Sequence, residues 1–398
     1  MRVTELRFAQ NIGSHFKALW LIQGKKRVSD TGAAAILRAK GVPVVHPQEV
    51  LSPAYDRPFE KVDLLPRLEP VKELEEKQTL CHVFTNKFSP VMGVSQVQLI
   101  TNSVVRSGLP ETVLERAVEN TAEEDEKVKE AILHAYLLDS KQIKLTRVLD
   151  VINRPGWIYK REYGIPVARR HKTLTYQLLL LLDQLVPGAA ERQLVEDTIT
   201  TVNFNHSDRL IQMKHRAAFI LSSPNPLPQL LDNEEVRSLE EETMPDIYPL
   251  SPFINCRAIG NYSLEDSYGV GSGHLHPHTI FIHHNQSRMP HSEEHFNGMT
   301  LLYAFSHAAA YAKQIAKIEN GNLEKPVVVQ VVHMHKQHFH MGVFQLNTLN
   351  LTGLSKNIFW TQPWEPLFGK CCFQAAKPVL EGYNPKVFSL LKGLHAQC

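Results

Sequence analysis

Cysteine is scarce in this chain and badly placed for pairing. The five cysteines of 398 residues, Cys81, Cys256, Cys371, Cys372 and Cys398, are widely spaced, with one adjacent pair and no C-x-x-C. Such a set builds neither a disulfide framework nor a cysteine zinc site, and it fits a reducing compartment. An excess of one charge sign is also missing. Lysine and arginine number 43 and the acids 41, for a net charge of +2. The chain as a whole is therefore not a polycation, and any contact with nucleic acid has to come from local patches. Long hydrophobic runs are absent too. The longest, Leu178 to Leu182, is far short of the ~20 residues that span a bilayer, so no membrane span is expected. There is no internal repeat and no G-x-S-x-G. The glycine-rich GVGSG at 269–273 follows no strand and opens no helix, the context a phosphate cradle needs. What remains is ordinary for a globular protein, 43% apolar and 21% charged, in a chain long enough for more than one folding unit.

Four regions follow from the local patterns. Residues 1–40 are basic and amphipathic. Arg2, Arg7, Lys17, Lys25, Lys26, Arg27, Arg38 and Lys40 face only Glu5 and Asp30, with Leu6, Phe8, Ile12, Phe16, Leu19 and Trp20 interleaved. A mitochondrial targeting segment and a surface helix with a basic face both fit. Residues 41–80 are proline-punctuated and read as extended. Residues 81–197 read as mainly helical. Pro110 opens one helix, with Val113, Leu114 and Val118 as its stripe. Thr121 caps a second that runs to Leu138, with Val128, Ile132 and Ala135 on one side. A third spans 171–188 and stops at Pro187-Gly188. Residues 198–398 read as an α+β domain. Strands are expected at TITTVNF and DRLIQMKHRAAFIL, a short acidic helix at 231–242, and a long helix at 298–321. A hairpin of 326–335 with 338–349 and a closing helix complete it. The fold class expected is α+β: a helical middle region, then a mixed C-terminal region with an antiparallel hairpin and flanking helices.

Histidine is the one residue present in unusual density. Twenty occur, and twelve of them lie between His274 and His340, in GHLHPHTIFIHH, HSEEH and HMHKQHFH. Alternation puts His274, His276 and His278 on one strand face, although Pro277 makes that strand an edge at best. A turn at Lys336-Gln337 pairs His335 with His338 and His333 with His340, all on one face. Four such rings can in principle hold a metal, but no acid is spaced to orient them. Exposed polar strand residues are the simpler account. HSEEH has the H-x-x-E-H spacing of inverted zincins, which would make a zinc hydrolase with Glu294 as base. Pro290 places His291 at the very start of any helix, and a third ligand has no clear candidate. Ser306 and His307 are helix neighbours facing different ways, and no nucleophile has a base at a usable spacing. No catalytic residue and no metal ligand is assigned.

Charge patterning points elsewhere. Residues 141–172 contain Lys141, Lys144, Arg147, Arg154, Lys160, Arg161, Arg169, Arg170 and Lys172 against Asp150 and Glu162, for a local charge of +7. Trp157 and Tyr159, with Tyr163, are interleaved. Cations for phosphates and rings for stacking are the recipe for RNA contact, and a solvated basic face is the plainer alternative. Stretches 111–130 and 232–246 are strongly acidic and should meet water or protein.

More specific than any of these motifs is a set of blocks in order along the chain. GLPETVLE (108–115), IYPLSPFINC (247–256), HPHTIFI (276–282), KPVVVQ (325–330), FHMGVFQLNTLNL (339–351) and KNIFW (356–360) resemble the mitochondrial large-subunit ribosomal protein 37 family. The resemblance implies a non-enzymatic component of the mitochondrial large ribosomal subunit, serving mitochondrial translation in the matrix. It implies contact with large-subunit rRNA and with neighbouring ribosomal proteins, the paralogous large-subunit protein 65 among them. It implies no cofactor and no DNA, and it makes the basic N-terminus a transit peptide. The chain departs from the family pattern at HMHKQHFH, where the family has a D-G type turn, and at HSEEH. The resemblance thus implies that the histidine richness is particular to this protein. It leaves a stand-alone matrix RNA-binding protein as the third reading.

Overall fold

The computed structural model describes residues 31–46, 50, 80–146, 163–206, 209–260, 262–271, 273–285, 292–318 and 321–397. Two units are present, Met1–Glu75 and Glu76–Cys398. In the first, α1 (Ala33–Ala39) follows Gly32, which sits at φ 68°, and α1 buries no residue. The basic residues from Arg2 to Arg27 lie outside the described residues.

The second unit begins with β1 (Cys81–Thr85), α2 (Gly93–Thr101), β2 (Ser103–Ser107), α3 (Glu111–Arg116), α4 (Ala122–Leu133), β3 (Ile143–Lys144), β4 (Tyr163–Gly164) and α5 (Val167–Leu185). Next come β5 (Gln193–Glu196), β6 (Ile199–His206), β7 (Arg209–Arg216), β8 (Phe219–Ser223), α6 (Asn233–Ser238) and β9 (Arg257–Ile259). The remainder holds β10 (His276–His284), α7 (Glu293–Gln314), β11 (Asn322–His335), β12 (His338–Thr348), β13 (Asn357–Thr361), β14 (Glu365–Pro366), β15 (Lys370–Gln374), β16 (Lys377–Glu381) and α8 (Pro385–His395). The class is α+β.

An eight-stranded sheet organises this unit, in the order β2-β13-β12-β11-β10-β8-β5, with β14 paired to β12. The hairpin β11–β12 is its centre, in the register expected: His335 opposite His338 and His333 opposite His340. Period-two alternation then gives the sheet two apolar faces. Ile280, Ile282, Val329, Val331, Phe344 and Phe359 pack on one side with α7 and α2. Phe281, Val328, Val332, Met341 and Val343 pack on the other with α4, α5 and α8. A strand buried on both faces is expected to be apolar at nearly every position; β10 to β12 are so only at their centres, in IFI, VVVQVV and MGVF, and carry buried histidine, threonine and glutamine around them.

A second sheet, β6-β7-β1-β9, supplies Val202, Phe204, Ile211 and Met213 to the same cluster as α7. α7 is therefore packed between two sheets and buried over most of its circumference, which explains its run of alanines and its weak amphipathicity. Its crossing with α2 is close. A Cβ on Gly298 would stand 2.7 Å from the Gly93 carbonyl oxygen, so only glycine fits there.

Three expectations need correction. β10 is an interior strand, flanked by β8 and β11. Pro277 is tolerated because pairing with β11 begins only at Thr279 and a bulge separates Pro277 from Thr279 in the β8 register. The same irregularity sends His276 to Tyr311 of α7 on one face and His278 to the end of α8 on the other, so the two rings do not share a face. α3 stops at Arg116, and of its expected stripe only Val113 is buried; Leu114 and Val118 are exposed. The Thr121 cap forms as read, with Glu124 closing the box, and the helix ends in a π turn over His134–Leu138.

Candidate nucleic-acid interface and the histidine core

The described ends of the basic stretch adjoin. The ladder Lys144↔Tyr163 joins its two halves, and α5 begins just beyond, so Lys144, Arg169, Arg170 and Lys172 come from adjoining elements. Arg147, Arg154, Trp157, Tyr159, Lys160 and Arg161 lie outside the described residues. Lys141 and Lys144 are exposed. The others are engaged. Arg169 forks onto Asp139, Nε to Oδ2 at 2.5 Å and Nη2 to Oδ1 at 3.1 Å. Asp139 is nearly buried, and hydrogen bonding from Arg169 holds its carboxyl below the usual range. Arg170 lies over the Tyr136 ring at 5.5 Å, and Lys172 reaches Glu196 at 2.5 Å. The acids that take up these cations, Asp139 and Glu196, lie outside the basic run or in a strand beyond it. Nothing in the local sequence marks them as partners.

The histidines do a different job from the one their pattern suggests. His333 and His340 are fully buried, not exposed strand residues. Thr300 on α7 donates its hydroxyl proton to the Phe296 carbonyl at 2.8 Å, so it can only accept from the two rings. His333 Nδ1 stands 2.7 Å and His340 Nδ1 3.1 Å from that oxygen. Both rings must then carry their proton on Nδ1, and His340 Nε2 accepts from Thr361 at 2.6 Å. Burial pushes the His340 pKa down to about 3 and that of His333 well below its usual value. On the opposite face His283 contacts Thr175 and His171 contacts Asn285, each at 2.9 Å, and burial lowers these rings to about 3 and about 4. His278 Nε2 donates to the Gln397 carbonyl at 2.9 Å.

His291 is outside the described residues, and Ser292 is the N-cap of α7, in contact with His295. Among the described residues no three His, Cys, Asp or Glu side chains converge as metal ligands. Ser306 accepts from His215 Nδ1 at 2.9 Å and donates to the Tyr303 carbonyl at 3.0 Å, so its proton goes to its own helix. Both residues sit inside the core. Sequence spacing gave no hint of this pair, because His215 comes from β7.

The blocks that carry the family resemblance are the stitching of this fold. Gln345 Oε1 accepts from the backbone N–H groups of Leu230 and Leu231 at 2.8 and 3.1 Å. Asn357 Oδ1 accepts from Asn347 and Thr348. The buried Lys356 ammonium donates to three carbonyls, Leu239, Glu240 and Glu242, at 3.0, 2.9 and 2.7 Å, and so ties the acidic segment after α6 to the sheet. Each is a buried polar side chain with its partners satisfied, the kind of position that tolerates little change.

No protein-family model matches the chain. Individual proteins do: the chain is similar to curated proteins of the large ribosomal subunit. Those relatives are the large ribosomal subunit proteins mL37. The rat protein (Rattus norvegicus) is 27% identical over 325 residues, covering 78% of this chain and 73% of its own. The chicken protein (Gallus gallus) is 26% identical over 337 residues, covering 80% and 74%. The bovine protein (Bos taurus) is 27% identical over 317 residues, covering 76% and 70%.

Proposed function

We propose that this chain is a structural component of the mitochondrial large ribosomal subunit, working in the matrix and supporting translation there. It contacts large-subunit rRNA through the basic corner and neighbouring ribosomal proteins, the protein 65 paralogue included, through other surfaces. The observation that carries the reading is similarity over about three quarters of the chain to proteins named large ribosomal subunit protein mL37. Two features support it. Lys141 and Lys144 stand exposed at the base of a basic stretch, available to phosphates. The buried histidines of the central hairpin are committed to threonine hydroxyls, which suits a rigid scaffold.

Sucrose-gradient sedimentation of mitochondrial lysate containing the tagged full chain tests this. Co-migration with the large subunit, with ultraviolet crosslinks to its rRNA, is expected. Migration near 45 kDa overturns it. Crosslinks to transcripts instead of rRNA would favour a stand-alone matrix RNA-binding protein.

A further inference from the structure

From Thr173 to Leu182, α5 carries no charged residue. His171, Leu174, Thr175, Leu178, Leu179 and Leu182 are buried, which accounts for one face. The other still presents Tyr176 and Leu180, each 45% exposed. A helix surface that only meets water carries charge, and this one does not. Alongside it run α4 and its π turn, where Leu138 is 52% exposed. Between the helices lies a groove of about 630 Å³, with Ala131, Leu133, Leu138, Leu180 and Leu181 as its apolar lining. Gln177 and His134 reach across from helix to helix at 2.9 Å.

The rim on the α4 side is net acidic: Lys127 and Glu130 line the groove, and Glu123 and Glu126 stand exposed beside them at helical spacing. Lys127 engages Glu123 at 2.7 Å and Lys129 engages Glu126 at 3.2 Å, which leaves Glu130 without an ion pair among the described residues.

We propose that this groove docks one amphipathic α-helix of a neighbouring protein, with lysine or arginine on the flank that meets Glu126 and Glu130. The proposal deepens the ribosomal reading and rests on it, by naming the kind of partner one surface takes. An apolar stripe at i, i+3, i+4 and i+7 fills such a groove, and basic flanking residues complement its rim. RNA is a poor occupant, because the rim repels phosphates. A second copy of this chain is also poor, because it brings its own Glu123–Glu130 row against the same carboxylates.

Two arms test this on the full chain in mitochondria. In the first, a photo-crosslinking benzoylphenylalanine replaces Leu180, with Phe373, exposed on β15, as the control position. The expected product joins position 180 to a different protein, within a segment that is amphipathic at helical period and bears lysine or arginine. A crosslink within the chain, to a second copy, to RNA, or no yield above position 373 overturns the proposal. In the second, Leu180→Asp and the double variant Glu126→Lys, Glu130→Lys are compared with wild type for incorporation into the large subunit. Leu180→Asp should lower incorporation roughly ten-fold or more, as loss of a central apolar anchor does, and the double variant less. The double variant changes only exposed residues, so it reports even where Leu180→Asp fails to fold. Wild-type incorporation by both variants removes the docking proposal and leaves the ribosomal reading intact. Failure of the wild-type chain to sediment with the subunit removes that reading instead.

Discussion

His340 lies flat against Trp364, with ring centroids 5.0 Å apart and planes 17° from parallel. The indole Nε1 donates to Asn297 of α7 at 2.7 Å, while His340 itself is held by Thr300 and Thr361. Helix, hairpin and the strand beyond are thereby locked around one imidazole.

Thr300→Val keeps the volume and removes the hydroxyl that both hairpin rings bond. Two buried N–H groups are then orphaned, which should cost about 2–4 kcal/mol. Urea denaturation of the full chain measures it. A loss below about 0.5 kcal/mol would mean that the rings find other partners.

The buried histidines should make the fold acid-labile. His278, His283 and His340 are lowered to about 3, and His171 and His307 to about 4, in each case chiefly by burial. A ring kept neutral in the fold takes a proton in the unfolded chain once pH drops below about 6.5. Stability from these rings is therefore complete above about pH 6.5 and falls away down to about pH 4 for His171 and His307 and about pH 3 for the other three, by up to about 1.4 kcal/mol per ring per pH unit. The melting temperature should drop steeply between pH 7 and pH 5. A flat profile would contradict neutral buried rings.

Arg169 and Lys144 belong to one basic stretch but should respond differently. Arg169→Ala strips the nearly buried Asp139 of its fork and should cost about 1–3 kcal/mol of stability, visible in the melting temperature. Lys141→Glu with Lys144→Glu should leave melting unchanged and weaken subunit incorporation, most clearly at low salt, where phosphate contacts are least screened. Unchanged incorporation would reduce this corner to solvated surface.

Lys356→Met deletes the ammonium that binds three carbonyls. The segment from α6 to Glu242 should loosen from the sheet, with stability lower by about 2–4 kcal/mol. Limited proteolysis should cut near 231–242 sooner than in wild type. Equal cutting rates would show that other contacts hold that segment.

Much of this architecture is legible in the sequence, and unevenly. The hairpin register follows from its turn at Lys336-Gln337, and the α4 cap from Thr121 and Glu124. What alternation cannot say is whether a face is covered, so His333 and His340 read as surface residues when α7 lies over them. α7 reads as a long helix and β6 and β7 read as strands, but nothing local says that the sheet they form packs against that helix. β1 and β2 are five-residue strands inside a stretch that otherwise reads as helical, and their partners lie far along the chain. In the basic corner the cations are legible and the carboxylates that occupy two of them are not. The acidic rim of α4 is legible as charge, whereas the apolar groove beside it needs two helices placed side by side.

The sheet pairing also dictates an order in time. β2 adds to the edge of β13, and Asn357 bonds the carbonyl of Thr101, 256 residues earlier. A chain arriving N-terminus first holds β1 unpaired until β7 appears, and β2 until β13 appears, when almost all of it has emerged. Such late closure is slow and leaves strand edges open to wrong partners. This polypeptide should therefore depend on a chaperone until its final hundred or so residues appear.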